Sequence, residues 1–548
     1  MTNSKTGTLQ TLSGRPVHPD VPHLCREFGR GQLDRRSFLR TLAWLGVTAA
    51  SASAFAGALP GPASAQDAAA QPKPGGELRF GCAIQEITDP AVSNWIEASN
   101  LYRNSLEFLT YVDADNITHP YLAKSWTPSD DLKVWDIELD ERAKWSNGDA
   151  FTPEDVIFNV ERWIAPDSQS SNKTAFAAVE KVEKTGDHAL RITLSRGVVS
   201  LAEQLYAYTC PMLHRDFVKS GGDWPKNPIG TGPYALTGYE VGRQAVFEKR
   251  ADYWGTPALL DKLHYIDVGT DITTQIAALA GGQIDVIYRA AITDTDLIKR
   301  LPNVTLLSAD PAQTLVMRMQ VDQKPFDDIR VRRAVQLAAD NAQMLQVAYR
   351  GEGTVADNFH VAPTQPDYFA LPPMGRDVAQ AKALLAEAGH PDGIDLELTL
   401  GNTQGKWEQD TAQVLQQNLA EAGIRLQLNV LPASQYWPVW NKVPFGLTYW
   451  AHRPLGVMTL DLAYRSGGAW NETNFASPEF DAALDKAMAI VDPKERAVAM
   501  QDVEQILRDA AVMVQPYWPK RFSACSNRVK NFPLHPSDYF RMDGVWLA

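Results

Sequence analysis

The sequence predicts an α/β protein, and three observations carry that prediction. "GIDLELTLG", "WEQDTAQVLQQNLAEAGI" and "IRLQLNVL" spell strand, helix, strand, with Leu396, Leu398 and Leu400 alternating on one face and Ile424, Leu426, Leu428 and Val430 on another. A helical crossover between two such strands favours parallel neighbours wound right-handed. The apolar strand "FGLTYW" is followed by a polar loop and a capped helix, the setting in which open α/β sheets bind ligands. With 45% apolar and 21% charged residues the composition is that of an ordinary globular protein.

Taken in chain order, the first feature is "DRRSFLR", Asp34 to Arg40, directly ahead of a moderately apolar run that ends in Ala63-Ser64-Ala65. This reads as a twin-arginine export signal cleaved before Gln66. Ser, Thr, Gly and Pro interrupt the run, which falls short of the roughly 20 strongly apolar residues of a membrane span. The signal holds 7 Lys and Arg and 3 Asp and Glu of the full 52 and 65, which leaves 45 basic and 62 acidic residues in a mature chain of 483 out of 548, a net charge near -17. Such a surface is a poor partner for nucleic acid or anionic membrane, although a single basic pocket remains compatible with it. Cys82, Cys210 and Cys525 remain after cleavage and permit one disulfide without requiring any. No CxxC or Cys/His cluster has zinc spacing, so no metal and no cofactor is expected. Fifteen tryptophans suit both a core and a ligand cavity.

"GELRFGCAI" from Gly76 is a strand. In "SWTPSDDLKVWDIELDERAKWSNGDAFTPEDVIFNVERWIA", Thr152 caps a helix that opens with Pro153, Glu154 and Asp155 and buries Val156, Val160 and Ile164. "NPIGTGPYALTGYE" has the wrong glycine pattern for a phosphate loop and reads as tight turn geometry. "PFDDIRVRRAVQLAADNAQMLQVAYRG" reads as one long helix from a capping Asp to Gly351. Ser477-Pro478 and Asp492-Pro493 start two more.

This order of motifs resembles the dipeptide, oligopeptide and nickel solute-binding proteins of ATP-binding-cassette importers, extracellular solute-binding protein family 5. The resemblance rests on the export signal, the "LAKSW…NVERW" stretch, "NPIGTGPYALTGYE" with "ADYWG", "ALAGGQIDVI", "PFDDIRVRRAVQLAAD" and "NFASPEFDAALDKA", which run in order through nearly all of the mature chain. It implies a two-lobed periplasmic-binding-protein fold of type II, enlarged by an extra domain, with the ligand in the inter-lobe cleft. Residues 66–97, 225–303 and 510–548 would form lobe I, 98–224 the extra domain and 304–509 lobe II. It also implies a soluble periplasmic monomer that delivers a small molecule or peptide to a membrane permease.

Peptide-binding members carry an acidic residue three positions after a strand-ending tryptophan, where it takes the peptide's amino group. Trp450 matches that tryptophan, and the third position after it is Arg453. The reversed sign favours a carboxylate, which a guanidinium grips through two parallel hydrogen bonds. Trp450, Trp470 and Tyr436 or Trp437 are then the expected apolar walls, Arg453 and Arg465 the anion clamp, and Asn471 and Glu472 further polar contacts. The bland alternatives are that Arg453 pairs with Asp461 or Glu472, that Arg465 merely ends a helix, and that His452 is a capping residue rather than a pH sensor. Against an enzyme, the chain has no GxSxG elbow, no HExxH and no Cys with a recognisable His neighbourhood, and no catalytic residue is expected. A chaperone-like or sensory protein of the same fold and a hydrolase are the rival readings.

Overall fold

The computed structural model describes residues 72–548 apart from 94, 171 and 469, so the paired arginines, the apolar run and the cleavage site lie outside the described residues. Glu77–Gly81 lies in a seven-stranded mixed sheet ordered Val304–Ala309, Arg521–Ser526, Val286–Ala290, Glu77–Gly81, Lys262–Ile266, Gln244–Lys249, Tyr234–Glu240. Glu77–Gly81 runs parallel to both its neighbours, so their carboxyl ends emerge together on one edge. The second sheet is ordered Ile424–Val430, Ile394–Leu400, Phe445–Trp450, Thr314–Met319, Met513–Val514. Leu396 pairs with Leu426 and Leu398 with Leu428 in parallel register, and the helix Lys406–Ala420 makes the crossover, burying Ala412, Leu415 and Leu419.

The sheets move the lobe boundaries drawn from the sequence. Val304–Ala309, assigned to lobe II, is hydrogen-bonded in the first sheet, and Met513–Val514, assigned to lobe I, is hydrogen-bonded in the second. The chain therefore crosses between lobes at 310–313 and returns at 515–520. Composition does not mark these crossings, because strands of either sheet are equally apolar.

A four-stranded antiparallel sheet, Ala123–Pro128, Val134–Leu139, Ala189–Leu194 and Val179–Gly186, comes in the chain between Glu77–Gly81 and Tyr234–Glu240 and shares a hydrophobic core with the first sheet. Its helix Pro153–Ile164 buries Val156, Val160 and Trp163, so the stripe continues through Trp163 rather than the expected Ile164. The Thr152 backbone N–H donates to the Asp155 carboxylate at 2.9 Å, so the acid at the third helical position caps in reverse.

Two other expectations change. The long helix is two, Ile329–Ala338 and Asn341–Ala348, because Asp340 turns out of the first and its carboxylate accepts the Gln343 N–H at 2.9 Å to start the second. The glycines of "GTGPY" serve close approach rather than turning: a Cβ on Gly230 would lie 1.9 Å from the Ser105 carbonyl oxygen, and Gly232 N–H donates to that oxygen at 2.8 Å. The three cysteines are free and buried. Trp145, Trp163 and Trp224 are core residues, which absorbs part of the tryptophan excess. Among the described residues no helix is long and apolar enough to cross a membrane.

Candidate functional site

The carboxyl ends of Glu77–Gly81 and Val286–Ala290 bring Ala83, Tyr288 and Arg289 to one wall of a cavity of about 630 Å³. The second lobe supplies the facing wall: Tyr449 from the end of Phe445–Trp450, Gln404 from the turn after Ile394–Leu400, Trp407 from the first turn of Lys406–Ala420, and Tyr349 from the end of Asn341–Ala348. Gln313 and Arg521 come from the two inter-lobe crossings or their edges. A second cavity of about 350 Å³ shares Glu97, Tyr288, Arg289, Gln404, Tyr449 and Arg521 with the first and adds His452, Asp538 and Tyr539. Both lie where an open α/β sheet binds its ligand.

Arg289 Nη2 lies 2.6 Å from Asp538 Oδ2, and Arg521 Nη1 is 3.5 Å from the same oxygen. Burial works against the Arg289 charge, but Asp538, Tyr288 and Tyr449 together outweigh it and hold the guanidinium pKa above its usual value. Arg521 also donates to Tyr449 Oη at 3.1 Å, and that hydroxyl donates to Gln313 Oε1 at 2.7 Å. Five buried polar atoms of these lining residues have no hydrogen-bond partner among the described residues: Tyr288 Oη, Arg289 Nε, Arg521 Nε, Asp538 Oδ1 and His452 Nε2. Buried polar groups are ordinarily satisfied, so their concentration on one cavity is the mark of a site made for a polar guest.

His452 Nδ1 accepts the Ala312 N–H at 2.9 Å, while burial and then neighbouring His535 and Arg453 push its pKa well down. A neutral ring accepting at Nδ1 carries its proton on Nε2, so His452 offers the cavity a fixed N–H donor. Glu97 lines both cavities, and burial raises its pKa to about 7. Among the described residues no cluster of His, Cys, Asp and Glu could hold a metal ion.

A family model for bacterial extracellular solute-binding proteins, family 5 Middle, matches residues 118–471. The chain belongs to this family. Heme-binding protein A of Haemophilus influenzae is 26% identical over 465 residues, 78% of this chain and 83% of its own length. Glutathione-binding protein GsiB of Salmonella typhi is 25% identical over 484 residues, 84% and 92% of the two chains. Among solved structures, HbpA2 from Haemophilus parasuis superposes with a TM-score of 0.78 at 22% identity over 86% of this chain and 100% of that one. AgaA in complex with agropinic acid, from A. tumefacien R10, superposes with a TM-score of 0.71 at 23% identity over 86% and 99%. The fold is the two-lobed type II periplasmic-binding-protein fold, and the function is that of a solute-binding protein of ATP-binding-cassette importers.

None of the seven site residues expected from the sequence of this family 5 protein lines either cleft cavity. Trp450 is buried and its Nε1 donates to Glu472 Oε1 at 2.7 Å. Glu472 is itself a core hub, accepting from Thr448 Oγ1 at 2.6 Å and pairing with the fully buried Arg318 at 3.1 Å, so it has no capacity directed at solvent. Arg465 is held by Asp461 and by Asp485 at 2.7 Å, the helix-end pairing that needs no ligand. Asn471 closes its loop, donating to the carbonyls of Arg465 at 3.0 Å and Phe475 at 2.7 Å. Trp437 and Trp470 are about half exposed and meet the Trp440 ring edge-on. Arg453 pairs with neither Asp461 nor Glu472; its guanidinium lies 5.7 Å from the Trp450 ring and 6.0 Å from Trp470, with one long bond of 3.4 Å to the Ala451 carbonyl.

Sequence reasoning missed Glu97, Arg289, Gln313, Tyr449, Arg521 and Asp538. One signal was available for Tyr449: it precedes Trp450 in a strand, so the two must point to opposite faces, and a core Trp450 sends Tyr449 to the cleft. The others come together from positions up to 441 residues apart, Glu97 and Asp538, which no local pattern reports.

Proposed function

We propose that the chain captures a carboxylate-bearing, peptide-like solute between its lobes and passes it to the permease of an ATP-binding-cassette importer. The observation that carries this reading is the pair Arg289 and Arg521, whose Nε atoms are buried without partners on a cavity otherwise walled by Tyr349, Trp407 and Tyr449. Asp538 offsets one of these two charges, which leaves one guanidinium charge of the pair for a ligand anion. A carboxylate can engage a guanidinium through two parallel bonds and relieve its desolvation. Arg453, with no acidic partner among the described residues, stands as a further cation near His452 and Tyr539. Relatives are named for glutathione and di/tripeptides, and one structural neighbour holds agropinic acid, all carboxylates. Because Gln313 and Arg521 flank the inter-lobe crossings, a solute touching Arg521 and Trp407 together would favour the closed arrangement of the lobes.

Export by the twin-arginine route before Gln66, giving a soluble periplasmic monomer, completes the reading. It is supported by Arg35-Arg36 and the small-x-small site. The test is native mass spectrometry of the protein purified from its own periplasm, with identification of the released compound. A carboxylate compound on a chain starting at Gln66 is expected, together with cytoplasmic retention of an Arg35→Lys/Arg36→Lys variant. A bound compound without a carboxylate would overturn the solute class, and unimpaired export of that variant would overturn the route.

A further inference from the structure

The cavity that holds the two arginines also holds an acid with no ion-pair partner among the described residues. Glu97 sits in the short helix Ile96–Ala98 beyond the strand Glu77–Gly81, lines both cleft cavities beside Arg289, and has no Lys, Arg or His within ion-pair distance among the described residues. Its contacts are neutral donors, the Ala83 N–H at 3.4 Å and the Trp95 indole. Burial opposes its charge and lifts its pKa to about 7, the cost expected of a carboxylate whose counter-ion is missing. Arg289 lies close enough to stabilise it, but that guanidinium is engaged by Asp538 at 2.6 Å. The pocket thus sets two guanidinium groups, which share Asp538, beside one carboxyl group with no ion-pair partner among the described residues, a pattern that a simple anion satisfies on one side only. A simple anion would also be repelled by Glu97.

We propose that Glu97 selects zwitterions, accepting a ligand ammonium while Arg289 and Arg521 take the carboxylate of the same molecule. This role replaces, from the opposite lobe, the acid that Arg453 displaces at the end of the Phe445–Trp450 strand. The arrangement also explains how a pocket rich in arginine discriminates: leaving a buried charged group unpaired is costly, so an analogue lacking the ammonium forfeits affinity that the arginines cannot restore.

This inference rests on the carboxylate reading, and the experiment separates the two. Mature protein is incubated with an equimolar mixture of dipeptides with free termini, with the same mixture N-acetylated, and with the same mixture C-amidated, and retained peptides are counted by native mass spectrometry. The wild type is expected to retain the free dipeptides about tenfold or more over either modified mixture, the size of one charge-assisted bond. Glu97→Gln should retain N-acetylated and free dipeptides alike while still rejecting the amidated ones, and Glu97→Asp, which keeps the charge, should recover part of the preference. Equal retention of N-acetylated and free dipeptides by the wild type, or an undiminished preference in Glu97→Gln, overturns the role of Glu97. Equal retention of the amidated mixture overturns the carboxylate reading alone, and retention of none of the three overturns both.

Discussion

Arg453 and Arg521 carry the same charge near the same cleft and differ in their company. Arg521 lines both cavities, braces Tyr449 at 3.1 Å and shares Asp538 with Arg289, whereas Arg453 lies over two tryptophans outside the cavity lining. Once the solute is identified, calorimetric titration of Arg521→Ala is expected to show an affinity loss of about tenfold to a hundredfold. Arg453→Ala, which removes a cation outside the cavity lining, should cost about twofold to fivefold. Asp538 keeps Arg289 in the first variant, so its melting temperature should change little. Equal losses would mean that Arg453 belongs to the inner site after all. The residue scale is also where the sequence was least legible. The sign reversal at Arg453 is visible in the letters, but Glu472 could not be told from a ligand contact, because only the fold brings the buried Arg318 to it from 154 positions away.

Elements were far more legible, because periodicity and capping act over a few residues. The parallel pair around Lys406–Ala420 and the helices behind Ser477 and Asp492 follow directly from alternation and caps. What failed were decisions between two local readings of equal merit. The stretch from Asp328 is apolar at helical spacing throughout, and the break at Asp340 depends on Asn418, whose Oδ1 accepts the Asp340 N–H at 3.0 Å from a distant helix. Asp340 is therefore held at both backbone and side chain. Asp340→Ala should lower stability by about 1 kcal/mol, the usual cost of a lost cap, read as a shift in the denaturant midpoint with an unchanged slope. No shift would mean that Asn418 alone fixes the break. The lobe boundaries failed for a related reason: a strand records that it is a strand, not which sheet it joins.

At the scale of the whole molecule, the balance of buried acids and buried histidines sets the response to pH. Burial lifts the pKa of Glu97, Glu107 and Glu408 to about 7 and that of Glu504 to about 8, against about 4.3 in an unfolded chain. Between those values the native state binds more protons than the unfolded one, so these four groups make stability fall as pH rises towards 8. Burial pushes His360 down to about 3, His535 to about 4, and His452 well below its ordinary value. Below about pH 6.5 the unfolded chain binds those protons and the native state does not, so the histidines make stability fall as pH drops. From about pH 4.3 to 6.5 the two sets oppose one another; above that window the acids dominate, and below it the histidines. The solute-free protein should therefore melt highest within about pH 4.3 to 6.5, with lower midpoints at about pH 8 and about pH 3 by circular dichroism. A midpoint that does not fall between pH 6.5 and 8 would show that the buried acids fold as carboxylates, and would remove the pH-sensitive charge from Glu97 in particular.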